Sequence, residues 1–135
     1  MPTDFDERDH PVLWIRTLGE SRDDDIAERF AFAERHLQGR ARVAIIFDTT
    51  AGRPLTARHR RMWTEWLTAN DHRLRKQLAG VAIVVTSAMA RGVFTGVFWV
   101  WQPPMPYAFV ATGAEAEAWA RARLRDVGPS GPPTR

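Results

Sequence analysis

Val43-Ala44-Ile45-Ile46-Phe47 and Val81-Ala82-Ile83-Val84-Val85 are apolar at every position. A strand with one wet face alternates polar and apolar residues. An unbroken apolar run instead suits a central strand covered on both faces, as in a parallel sheet flanked by helices. The stretch between the two runs is long enough for the crossover helix that parallel neighbours require. These runs therefore confine the chain to a layered α/β architecture.

Helical periodicity fills the gaps. Ile26, Phe30, Ala33 and Leu37 recur at helical spacing behind Ser21-Arg22-Asp23-Asp24, close to a capping box with Asp24 in place of the usual Glu. Thr56 is placed to cap a long helix reaching about Gln77. Met62, Trp63, Trp66, Leu67, Leu74 and Leu78 form its buried stripe, and Arg58, Arg61, Glu65, Arg73 and Lys76 turn to water. A third helix is expected from about residue 88 to 101, stopped by Pro103-Pro104. Thr112-Gly113-Ala114-Glu115 is a complete capping box for a last helix that buries Ala116, Trp119, Ala120 and Leu124. Val12-Leu13-Trp14-Ile15, closed by Gly19, and Tyr107-Ala108-Phe109-Val110-Ala111 supply the outer strands. The expected fold is thus α/β: four successive βα units forming a mainly parallel four-stranded sheet with flanking helices and right-handed crossovers.

A chain of 135 residues, 44% of them hydrophobic, can build one core of this kind and not a second. Residues 11–127 are expected to hold the fold. Residues 1–10, acidic and polar, are expected to be flexible, and the Gly/Pro/Ser-rich residues 128–135 to be a disordered tail. The N-terminal residues lack the basic start and apolar run of a secretory signal. The most apolar stretch, residues 92–101, is half of the roughly 20 residues that span a bilayer. The absence of cysteine excludes disulfides and thiolate metal sites, and a cytoplasmic location is expected.

Charge is unevenly placed. Residues 1–39 carry five basic and ten acidic side chains, and residues 40–135 carry fourteen and six. Acidic and basic helices commonly lie side by side on one fold and cancel locally, so no nucleic-acid partner is expected.

Four βα units in this length, with Asp48 ending the second strand and a short apolar third helix, resemble the SpoIIAA-like (STAS) and SEC14-type superfamily. The resemblance is carried by Ala44-Ile45-Ile46-Phe47-Asp48-Thr49-Thr50, the strand at residues 81–85, the helix around Arg91 and Gly92, and Phe109-Val110-Ala111-Thr112 with Glu115, Ala116 and Trp119. It implies a non-enzymatic module, binding a protein partner in the anti-sigma-factor antagonist branch or a lipid in the SEC14-type branch; no cofactor is expected. In the first branch a serine near the start of the second helix is phosphorylated. Its pattern of Asp-Ser followed closely by Gly becomes Asp48-Thr49-Thr50-Ala51-Gly52 here. The second branch surrounds its lipid with extra helices for which this chain has few residues, so no deep lipid pocket is expected.

The residues themselves offer little catalytic chemistry. The segment from Asp48 to Arg53 has no Gly-Lys-Ser/Thr to cradle a phosphate. His10, His36, His59 and His72 lack the spacing of a metal motif and read as solvated helix positions. Ser21, Ser87 and Ser130 sit in no nucleophile elbow. No catalytic or metal-ligating residue is assigned.

Two candidate regions remain. Asp48, Thr49 and Thr50 are expected in a loop at the carboxyl edge of the sheet, where open α/β sheets bind ligands, together with Thr56, Thr86 and Ser87. Asp48 also suits an Asx turn within that loop. The other region is the third helix. It is apolar on nearly every side, so Arg91, Phe94, Phe98, Trp99 and Trp101 form a candidate interface for a protein partner or a second copy. The expected function is a regulatory or protein-interaction module switched by phosphorylation. The alternative is a small-ligand or lipid-binding domain, and an enzyme would need a second acid or base converging on Asp48.

Overall fold

The computed structural model describes residues 3–127. Among these residues are five strands, β1 (Thr3–Asp6), β2 (Val12–Gly19), β3 (Val43–Gly52), β4 (Leu78–Val84) and β5 (Tyr107–Val110), and five helices. These are α1 (Asp23–Leu37), α2 (Ala57–Ala69), α3 (Asp71–Gln77), α4 (Ala88–Val100) and α5 (Gly113–Val127). The strands lie side by side in chain order, β1 antiparallel to β2 and all other neighbours parallel.

This order decides where the helices go. Crossovers of one hand that step steadily across a sheet leave their helices on one face. Accordingly α1, α2, α3 and α4 share a core with Leu13, Ile15, Ile45, Phe47 and Ile83. The opposite face, with Val12, Trp14, Ala44, Ile46, Ala82 and Val84, is covered by Ala116, Ala120, Trp119 and Leu124 of α5. Because both faces are covered, β3 and β4 tolerate the unbroken apolar runs read from the sequence.

Several expectations need correction. The sheet has five strands, because residues expected to be a flexible N-terminus supply β1, paired from Thr3 opposite Thr17 to Asp6 opposite Trp14. The anticipated tail at residues 128–135 lies outside the described residues. Asp48, Thr49 and Thr50 lie within β3 and not in a loop. β-Branched threonines favour extended backbone, and β2 continues beside them until Leu18 faces Ala51 and Gly19 faces Gly52. The loop begins only at Arg53.

The long second helix is broken at Asn70 into α2 and α3. There Asn70 Nδ2 donates to the Trp66 carbonyl at 2.9 Å, a local bond that competes with helix continuation. At the start of α1, the N–H of Arg22 is held by Asp25 Oδ2 at 2.7 Å, so Asp25 takes the part expected of Asp24. Thr56 caps α2 by accepting from His59 N, and the Thr112–Glu115 box opens α5. His36 and His59 are not solvated. His59 is buried and bonds Asp23 Oδ1 at 2.9 Å, while His36 bonds Glu7 Oε1 at 2.8 Å.

Candidate ligand-binding site

Between the sheet and the helices α2 and α4 lies a cavity of about 90 Å³ whose wall is almost wholly apolar. Its origin is packing. α4 reaches the sheet through Phe94, Val97 and Phe98, while α2 contributes Trp63, Trp66 and Leu67. Large rings meet edge to face and leave space between them. Phe47 contacts Trp63 and Phe94 with centroids 5.5 and 6.0 Å apart, and Phe30 stacks on Trp66 at 4.9 Å. The indole N–H of Trp63, on the cavity wall, is buried and has no hydrogen-bond partner among the described residues.

A second cavity of about 40 Å³ adjoins the first toward the carboxyl edge of the sheet, sharing Phe47, Leu55, Val93 and Phe94 as common wall. Its remaining lining, Gly52, Pro54 and Ala90 apart, brings in polar residues that the first lacks: Thr17, Ser21, Arg29, Thr49 and Arg53. Arg29 is fully buried. Its Nε donates to Thr3 Oγ1 at 3.0 Å and its Nη2 to Ser21 Oγ at 2.6 Å, while Nη1 has no partner among the described residues. Burial pushes this guanidinium below its ordinary pKa, opposed by the nearby charges of Asp25 and Glu28.

Strand alternation divides the residues singled out from the sequence. Thr49 shares the face of Phe47 and lines the polar cavity, with its hydroxyl donating to the Val84 carbonyl at 2.8 Å. Asp48 and Thr50 share the opposite face. There Asp48 Oδ1 accepts from Thr50 N at 3.0 Å and Thr50 Oγ1 at 2.7 Å, the local bonding of an Asx turn set inside a strand. Thr86 is exposed, and Ser87 caps α4 by accepting from Ala90 N at 2.9 Å. Among these candidates the structure thus brings only Thr49 to the cavity.

On α4 the candidate interface also divides. Trp101 is 6% exposed and belongs to the core, contrary to its expected place at an interface. Its indole faces inward because the chain leaves the helix there, in extended backbone. Phe94 and Phe98 are half-buried on the cavity wall, and Arg91 lies over the Phe109 ring at 5.3 Å. Trp99 is 84% exposed, alongside Met89 at 71% and Val100 at 73%.

Sequence reasoning missed Arg29, although a signal was there. Ile26, Arg29 and Ala33 are spaced three and four apart, so a charged residue interrupts the buried stripe of α1. No cluster of His, Asp or Glu among the described residues could hold a metal ion, and no helix among them is long and apolar enough to cross a membrane.

Comparison with known proteins bears on the fold. No family model matches the chain, and neither does any curated protein. Among solved structures, it is similar to an uncharacterized protein of the DUF3478 family from Shewanella loihica PV-4, described as having a SpoIIAA-like fold. The TM-score is 0.65 at 14% sequence identity, over 87% of this chain and 91% of the other. The chain therefore has a SpoIIAA-like α/β fold, as its succession of strands and helices suggested.

Proposed function

We propose that this is a non-catalytic binding module that takes a small, largely apolar molecule between its sheet and α2 and α4. The observation that carries this reading is an apolar cavity lined by Trp63 beside a smaller one lined by Arg29, residues whose buried Nε1 and Nη1 donors the described residues leave unpartnered. Buried polar groups are nearly always satisfied, and an orphan at a cavity is a place where a ligand belongs. The smaller cavity lies toward the carboxyl ends of β2 and β3, the edge at which open α/β sheets bind ligands. A catalytic reading finds less support, because the carboxylate of Asp48 is engaged by Thr50 on the face away from the cavity.

Calorimetric titration with 1-octanol tests the proposal. The wild-type chain is expected to bind one molecule, and Val93→Trp, which fills the shared wall, to weaken binding by roughly tenfold or more. Absence of binding to the wild type, or equal binding to both chains, would contradict it.

A second reading, a protein-interaction module, is favoured by the exposed Met89, Trp99 and Val100 of α4. A protein partner or a second copy would cover these side chains. The phosphorylation switch has less support, since the Thr49 hydroxyl is bonded within the sheet and Thr56 serves as a cap.

A further inference from the structure

Arg29 is a fully buried charge with a donor unpartnered among the described residues. A fully buried guanidinium normally faces a carboxylate, because taking an ion out of water without a counter-charge is expensive. Arg29 forms no ion pair among the described residues, and its two bonds go to the neutral hydroxyls of Thr3 and Ser21. The carboxylate of Asp25, which could have served, is bonded to the N–H of Arg22. Arg29 therefore keeps an Nη1 unpartnered among the described residues and lines the small second cavity. Around it, Ser21, Thr49 and Thr17 add hydroxyl groups, and Arg53 stands exposed at the same cavity with a second positive charge. Nothing on this wall is acidic.

Apolar and cationic compartments thus meet across a common wall. Leu55, Val93, Phe94 and Phe47 line both, so rotation of these side chains would let an elongated molecule reach from one to the other. We infer that the ligand of this module is an amphiphile with a small anionic head group, carboxylate or phosphate monoester, which bonds Arg29 while its apolar part occupies the cavity under α4. This rests on the apolar-cavity reading above and adds the charge of the ligand to it. A charge-assisted bond to Arg29 supplies the counter-ion that the fold withholds.

The test compares octanoate, octyl phosphate, 1-octanol and octylamine, each titrated calorimetrically into the wild-type chain and into Arg29→Met. Octanoate or octyl phosphate is expected to bind the wild type roughly tenfold or more tighter than 1-octanol, with octylamine weakest, and whichever anion is tighter identifies the head group. Arg29→Met is expected to abolish this preference, so that octanoate, octyl phosphate and 1-octanol bind the variant alike. Equal affinity of the wild type for octanol and both anions would overturn the inference and leave the apolar-cavity reading intact. Failure of all four to bind would overturn both. An unchanged anion preference in Arg29→Met would also overturn it. Should that variant not fold, the ranking of anion, alcohol and amine on the wild-type chain decides alone.

Discussion

The indole N–H of Trp101 donates to Asp71 Oδ1 at 2.9 Å, joining the residue that follows α4 to the first residue of α3. The same carboxylate accepts from Arg75 Nη2 at 3.1 Å through its other oxygen. This bond anchors the far end of α4, the helix that roofs the apolar cavity. Asp71→Ala would leave the buried indole N–H unpaired and is expected to cost about 1–3 kcal/mol. Trp101→Glu would bury a charge in the core and is expected to unfold the domain, not to release a partner. Urea denaturation followed by circular dichroism checks both.

Gly80 of β4 faces α5, and a methyl group built there would approach Cη2 of Trp119 to 2.8 Å. The absence of a side chain at this position is what lets the indole lie against the sheet. Gly80→Ala is therefore expected to destabilise the fold by about 1–3 kcal/mol, as overpacking of a filled core does. Combining it with Trp119→Phe should recover part of that loss, which a double-mutant cycle would measure.

Thr56→Ala removes the bond to His59 N and is expected to lower stability by about 1 kcal/mol. Thr112→Ala, at the start of α5, should behave alike, since Thr112 Oγ1 accepts from Glu115 N at 3.1 Å. Denaturation midpoints that do not move would assign the capping elsewhere.

Acid should weaken the fold in two steps. Burial holds the His36 imidazole below its ordinary value of 6.5, outweighing the bond to Glu7. The unfolded chain therefore takes up a proton first as pH falls past 6.5, and stability declines below that point. Asp23 is held below 3.8 by Arg58 and then His59, so its contribution is present above 3.8 and is lost on further acidification. His36→Gln is expected to flatten the slope of melting temperature against pH just below 6.5. A slope unchanged by that substitution would assign it to another group.

The layered α/β fold was legible because its strongest signals are local. Unbroken apolar strands such as Val43–Phe47 and complete boxes such as Thr112–Glu115 announce themselves without tertiary information. What lay hidden depends on neighbours distant in sequence. Thr3–Asp6 has too little apolar character to read as a strand and is one because β2 offers it an edge. Thr49 and Thr50 extend β3 because β2 runs on beside them, which a loop-like composition conceals. Arg29 reads as an ordinary helix charge until α1 is docked with that side inward against Thr3 and Ser21. The cavity has no signature in sequence, since it is a gap left between rings of α2, α4 and β3.

Native mass spectrometry of the chain, purified from cells without denaturant, tests the central claim most directly. The account predicts a one-to-one complex with a molecule small enough for the apolar cavity and its polar annex, released on unfolding and absent from Val93→Trp. A wild-type chain that carries no small molecule, appearing bare or only bound to another polypeptide, would contradict it and favour the exposed face of α4 as the functional surface.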